Sequence, residues 1–334
     1  MVKQRALFAL IITASLGSLA LAIFGVTSFT KPEPDGDEPN PAAIEAVRLH
    51  PLTPGVIAAV KTVAPRAGCP TNIVSFHSDG LTQYALATRP VAAMPRGGYP
   101  VIIFAHGYTD SKTYKTDNTQ YQAMIESYCQ HGYLILKPDY RGVGSSQGVA
   151  SNGLFSPDDT YDVLNLAASM PTYPLANPSR IVLIGHSMGG AIILRAGVAP
   201  HNMPIRGLIT IAGAVDSLPN LAFHWTGRVP PDVAIKRRQV LGAEGPPSQN
   251  PAYWHDASSI NYVSSLSVPV QINQGLTDVS VPPAFAAKLN LALTAAGKTH
   301  EYFTYPDTGH LFVNPTGLSD LLKNNNAFLA AYDS

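Results

Sequence analysis

The chain is short of charge. Lysine and arginine supply 22 residues and aspartate and glutamate 22, so 13% of the 334 residues are charged and the net charge is zero. An ordinary soluble domain carries about 25%. With no basic block, the chain lacks the electrostatic footprint that nucleic acid requires. Cysteine is scarce as well: two residues, Cys69 and Cys129, exclude a disulfide-dense mini-fold. There is no HExxH, no CxxC pair and no Walker loop, so neither a metal nor a phosphate-bearing cofactor is expected. What is plentiful is apolar surface, at 46% of residues, together with 29 prolines. The first of these excludes a largely disordered chain.

The amino terminus has the layout of an export signal. Lys3 and Arg5 precede an uncharged run from Ala6 to Phe29, a basic region followed by an apolar stretch. Ala20-Leu21-Ala22 offers a small-residue cleavage site. The whole run would reach about 36 Å as a helix, enough to span a bilayer. A cleaved signal and a retained anchor through residues 6–29 therefore both stay open, with the anchor slightly favoured. Either way the remainder is expected outside the cytoplasm. Residues 31–41 read KPEPDGDEPNP, an acidic, proline-rich spacer that cannot bury apolar surface. In an oxidising compartment Cys69 and Cys129 leave room for one disulfide.

From about Asn72 the chain alternates β-branched runs with amphipathic stretches. Ile73–His77 and Gln83–Thr88 read as an antiparallel lead-in. Strands are expected at 101–105, 133–138, 180–184, 205–211, 268–273 and 301–305. Helices are expected at 118–130, 158–169, 189–198, 282–296 and 318–331, the second opened by Ser156-Pro157. This alternation predicts a doubly wound, mostly parallel α/β sheet. The organisation is then a signal or anchor at 1–30, a linker and lead-in at 31–71, and one catalytic domain at 72–334. The interval from Ala214 to Val268 is too long for a plain connection. It predicts a cap excursion at about 218–264, in which Phe223, Trp225, Tyr253 and Trp254 are expected to wall a pocket.

Gly185-His186-Ser187-Met188-Gly189-Gly190 lies directly between the strand RIVLI and an apolar helix. That is G-x-S-x-G in the strand–turn–helix context the motif needs. The turn lifts the Ser187 hydroxyl above the sheet, and the helix start aims donors at any anion forming there. A serine needs a base and an orienting carboxylate, both downstream in this sheet type. Asp278 follows the strand at 268–273 and His310 follows that at 301–305, so they are the expected acid and base. Asp216 is the alternative acid. His300 lies at the wrong end of its strand, and His255 belongs to the excursion. The oxyanion is assigned to the backbone N–H groups of Met188 and Tyr108, the latter in the turn His106-Gly107-Tyr108 after VIIFA. Gly142–Gly148 imitates a dinucleotide fingerprint, but its spacing and missing helix oppose it. Asp139 and Arg141 are expected to brace that loop. Lys236-Arg237-Arg238 reads as a solvated helix face.

These motifs resemble the α/β-hydrolase superfamily over residues 72–334. The stretches at 250–254 and 258–263, Gly275-Leu276-Thr277-Asp278, Pro306-Asp307-Thr308-Gly309-His310 and Pro138–Ser146 are similar to the catalytic module of prolyl-oligopeptidase-like (S9-type) serine peptidases and esterases. The resemblance implies an eight-stranded sheet and carries the nucleophile, acid and base onto Ser187, Asp278 and His310. The larger peptidases of that group filter substrates through an amino-terminal propeller, which the residues before Asn72 are too few to form. No acidic pair suited to gripping a peptide amino terminus stands out. The expectation is an exported serine esterase, acting on a small acyl ester without cofactor. The alternatives are a small peptidase or amidase, and a catalytically silent hydrolase fold used for binding.

Overall fold

A computed structural model describes residues 40–332, apart from 152, 200 and 226–230. The expected export segment and residues 31–39 of the spacer lie outside the described residues. Among the described residues no helix is long and apolar enough to cross a membrane.

A short helix, α1 (Ile44–Leu49), leads into three antiparallel strands, β1 (Ala58–Arg66), β2 (Cys69–Ser78) and β3 (Leu81–Thr88). The alternating part follows as β4 (Tyr99–Ala105), α2 (Gln122–Gln130), β5 (Leu134–Pro138), α3 (Asp158–Ser169), β6 (Ala176–His186), α4 (Met188–Val198) and β7 (Ile205–Ile211). Three helices, α5 (Leu218–His224), α6 (Pro231–Glu244) and α7 (Pro251–Asp256), make the excursion. β8 (Val270–Gly275), α8 (Pro283–Ala295), β9 (His300–Tyr305) and α9 (Pro315–Tyr332) complete the fold. The nine strands form one mixed sheet in the order β1-β2-β3-β5-β4-β6-β7-β8-β9, parallel from β5 to β9.

Side chains of a strand alternate between faces, and the sheet uses both. Val101 and Ile103 join the core under α3, α4 and α8, while Ile102 and Phe104 join the core under α2 and α9. Each fully buried Ile, Val or Phe contributes roughly 1.5–3 kcal/mol, so the VIIFA run is held on both sides. Because β4, β6, β8 and β9 are parallel, Ala105, His186, Gly275 and Tyr305 all end at one edge. Ser187, Met188, Asp278, His310 and Tyr108 each follow one of those ends.

The sheet has nine strands, not eight, and starts at Ala58 rather than near Asn72. β1 escaped the sequence reading because almost all of its residues are exposed, so it has no apolar alternation. As an edge strand it pairs only with β2 and carries Pro65 and two register shifts, features suited to an edge. The segment before it also packs: Ile44 and Val47 are fully buried. α2 begins at Gln122 instead of Asn118, with Tyr121 in the left-handed region at φ 64°. Pro157 sits one position before α3, whose first N–H groups are served in part by Ser156 Oγ. Cys69 and Cys129 form a disulfide, with Cα atoms 6.6 Å apart, that ties β2 to α2.

Candidate active site

Ser187 stands between β6 and α4 with φ 55° and ψ −120°, a conformation that costs a non-glycine residue of order 1–3 kcal/mol. The surrounding packing imposes it. Ser187 N–H donates to the Ile211 carbonyl, and its own carbonyl accepts from the N–H groups of Gly190 and Ala214. The flanking glycines are required sterically. A Cβ at Gly185 would strike the Gly189 carbonyl, and one at Gly189 would strike the Ala105 carbonyl of β4. Met188 is the first residue of α4, so its N–H belongs to the first turn, where no intrahelical acceptor exists.

His310 and Asp278 come together 32 residues apart in sequence. His310 Nδ1–H donates to Asp278 Oδ2 at 2.8 Å, which in the neutral imidazole puts the lone pair on Nε2. Asp278 Oδ1 accepts from the N–H groups of Ser280 and Val281, each at 2.8 Å, and Gln274 Nε2 donates to Oδ2 at 3.3 Å. Burial alone would raise this carboxyl. The His310 hydrogen bond and the Val281 and Ser280 donors outweigh it and hold the group below the ordinary carboxylate range. His310 also lies beside the serine turn: its carbonyl accepts from His186 Nε2–H at 2.9 Å, and the two imidazole centroids are 4.7 Å apart. Asp216 is committed elsewhere, to Lys288 Nζ at 2.7 Å, Ser217 N–H and Asn220.

The turn after β4 faces the serine. A Cβ on Gly107 would lie 3.1 Å from Ser187 Cβ, so a side chain there would press on the serine turn. The loop is held from three directions. Tyr140 Oη donates to the His106 carbonyl, His106 Nδ1 to the Gly107 carbonyl at 2.7 Å, and Gly107 N–H to Tyr121 Oη. Burial, with the charge of Lys137 adding, pushes the His106 imidazole down to about 3, so it is neutral near pH 7. Tyr108 comes next in this turn.

The excursion corrects part of the pocket reading. Trp254 is 1% exposed and its indole N–H donates to the Gly245 carbonyl, so it packs the cap's interior instead of walling an open pocket. Tyr253 is buried against it. Burying an indole requires a partner for its N–H, and the Gly245 carbonyl supplies one inside the cap. Phe223 is partly exposed, and Trp225 N–H donates to the carbonyl of Ser280, two residues past Asp278. Of the four aromatics, these two are not buried. His255 is exposed and pairs with Asp256, and His300 is tied to Asn290. Arg237 links α6 to the Ala222 carbonyl. Arg141 braces its loop through Asp162 and Asp79, and Asp139 through Thr116 and Ser145 N–H. The sequence reading overlooked Gln274, Tyr121 and His186 as site neighbours. The only signal for His186 was its place before Ser187, and Tyr121 carried none.

Known proteins share this architecture. The acetyl xylan esterase from Paenibacillus sp. R4 superposes with a TM-score of 0.64 at 17% identity, over 86% of this chain and 92% of that one. Dipeptidyl peptidase 4 of Porphyromonas gingivalis gives 0.62 at 18% identity, over 79% of this chain and 36% of that one. At these identities the likeness is one of fold. In sequence, dipeptidyl peptidase family member 6 of Caenorhabditis elegans is 22% identical over 218 residues, 63% of this chain. The chain spans 28% of that relative's length. Residues 118–333, which hold Ser187, Asp278 and His310, match the model of the prolyl oligopeptidase family, and the chain belongs to that family.

Proposed function

We propose that the protein is an exported serine hydrolase that cleaves carboxylic esters through an acyl-enzyme. The observation that carries this reading is the His310–Asp278 hydrogen bond beside the strained Ser187 turn. Ser187 Oγ attacks the acyl carbonyl while His310 Nε2 takes its proton. The imidazolium that forms is stabilised by Asp278. The oxyanion is received by the N–H groups of Met188 and Tyr108. His310 then protonates the departing alkoxide, and a water deprotonated by His310 releases the acid and restores Ser187. No step calls for a cofactor.

Ester cleavage is supported by the acetyl xylan esterase among the proteins that share the fold. Trp225, tied to the Ser280 carbonyl, and the exposed Phe223 offer apolar surface suited to a small acyl or alcohol group. The family and its named relative favour the second reading, a peptidase or amidase. Export is supported by the basic-then-apolar terminus and by the Cys69–Cys129 disulfide, a bond typical of oxidising compartments. If residues 6–29 are retained, the enzyme is held at a membrane facing outward.

A fluorophosphonate probe tests the mechanism, with wild type expected to label and Ser187→Ala not. Equal labelling of the two, or none of wild type, points to a silent binding fold. A panel of p-nitrophenyl esters beside aminoacyl and dipeptidyl amides tests the substrate, and amide turnover matching ester turnover overturns the ester assignment.

A further inference from the structure

Tyr121 and His186 connect three loops of the site through hydrogen bonds whose directions can all be assigned. His186 Nε2 faces the carbonyl of His310 at 2.9 Å. A carbonyl only accepts, so Nε2 carries the proton. Burial, with the nearby His310 adding, pushes the His186 imidazole down to about 4. It is therefore neutral near pH 7, and its Nδ1 is a bare acceptor. Tyr121 Oη lies 2.9 Å from that Nδ1 and accepts from Gly107 N–H at 3.0 Å and Gln120 Nε2 at 3.3 Å. Both of those neighbours donate, so the phenolic proton goes to His186. Burial raises the Tyr121 phenol well above its ordinary range, which keeps that proton in place. The chain of donation runs Gly107 N–H to Tyr121, Tyr121 to His186, and His186 to His310.

A second observation points the same way. Tyr121 is held at φ 64°, outside the helix it precedes, and such strain in a non-glycine residue persists only where its surroundings over-determine it. Its hydroxyl takes up the Gly107 amide, which ties the turn that carries Tyr108 to the start of α2. The Gly107 carbonyl, fixed by His106, sets the plane of the Gly107–Tyr108 peptide. In a planar trans peptide the N–H points opposite the carbonyl.

We propose that Tyr121 and His186 are positioning residues that lock the oxyanion turn and the His310 loop to the Ser187 turn as one unit. The proposal rests on the serine-hydrolase reading above. Neither residue reacts. Their contribution is to keep donor and base in place before the transition state forms, which spares reorganisation during the reaction.

The test is steady-state kinetics on a p-nitrophenyl ester with wild type, Tyr121→Phe, His186→Gln and the double variant, and Ser187→Ala as the blank. Phe keeps the ring and loses the hydroxyl. Gln keeps an N–H for the His310 carbonyl and removes the ring Nδ1 that Tyr121 donates to, leaving only an amide oxygen on a flexible stem. Each single variant is expected to lower kcat roughly tenfold to a hundredfold with KM nearly unchanged, the range of a lost buried hydrogen bond. Affinity for a boronic-acid transition-state analogue should fall in parallel, which a loss of stability alone does not produce. Members of one relay are non-additive, so the double variant should match the worse single. A folded Tyr121→Phe with kcat within about twofold of wild type, or a double variant whose losses multiply, overturns the relay. If Tyr121→Phe melts below the assay temperature, His186→Gln decides the matter by the same kcat threshold. Turnover that survives Ser187→Ala refutes instead the serine reading beneath the proposal.

Discussion

Replacing Asp278 by Asn isolates what this carboxylate does, because its surroundings dictate how the amide must sit. Ser280 and Val281 each donate a backbone N–H to Oδ1 at 2.8 Å. In the variant the amide oxygen has to stay there. Turning it away would strand two donors, at about 1–3 kcal/mol each. The amide NH2 is then forced toward His310 Nδ1 and toward Gln274 Nε2, both of which are donors in the native site. His310 escapes the conflict by moving its proton from Nδ1 to Nε2, and that tautomer cannot accept the Ser187 proton. Recovering the reactive tautomer costs the two stranded bonds, about 2–6 kcal/mol together. The upper part of that range meets the roughly 10⁴-fold loss seen for the corresponding change in a serine-protease triad. We therefore expect kcat on p-nitrophenyl butyrate to fall by about 10³–10⁴ with KM little changed. Fluorophosphonate labelling should slow in step. Asp216→Asn is the control: Asp216 serves a half-exposed Lys288, and the loss should stay within about threefold. An Asp278→Asn enzyme within about tenfold of wild type, or a larger loss in Asp216→Asn, refutes the assignment of the acid.

Two further outcomes concern stability. The Cys69–Cys129 bond closes a loop of 60 residues, which in the chain-entropy model is worth about 4 kcal/mol. Reduction or Cys69→Ser/Cys129→Ser should lower Tm by roughly 10 °C, and an unchanged Tm with both thiols titrating free would sink the estimate. Burial pushes the Asp159 carboxyl up to about 7, although Ser151 Oγ–H donates to it at 2.6 Å. The folded state thus keeps a proton that the unfolded chain releases near pH 4, so this group costs stability as the pH rises from about 4 to 7. Asp159→Asn is neutral throughout and still accepts from Ser151, and it should flatten that slope in urea titrations. Parallel curves for variant and wild type would remove Asp159 from the account.

Much of the site was legible because its signals are local. A strand, a glycine-bounded turn and a helix follow one another around Ser187, and each has its own periodicity. Asp278 and His310 could be singled out because each follows a strand, and parallel strands deliver their ends to one edge. β1 could not be read this way, since its exposed residues alternate with nothing. Trp254 misled for a related reason. Its size and its place in the excursion suit a pocket wall equally well, until the Gly245 carbonyl is seen to claim its indole N–H.

By itself, the sequence determined the alternating α/β order, the serine turn and the places of Ser187, Asp278 and His310 after their strands, all properties of neighbouring residues and their periods. Only the tertiary structure decided which carboxylate meets His310, that Asp216 turns to Lys288, that Cys69 bonds Cys129, and that Tyr121 reaches His186. Those choices depend on distances between residues far apart in the chain. Such distances are set when the two faces of the sheet pack, and no local pattern records them.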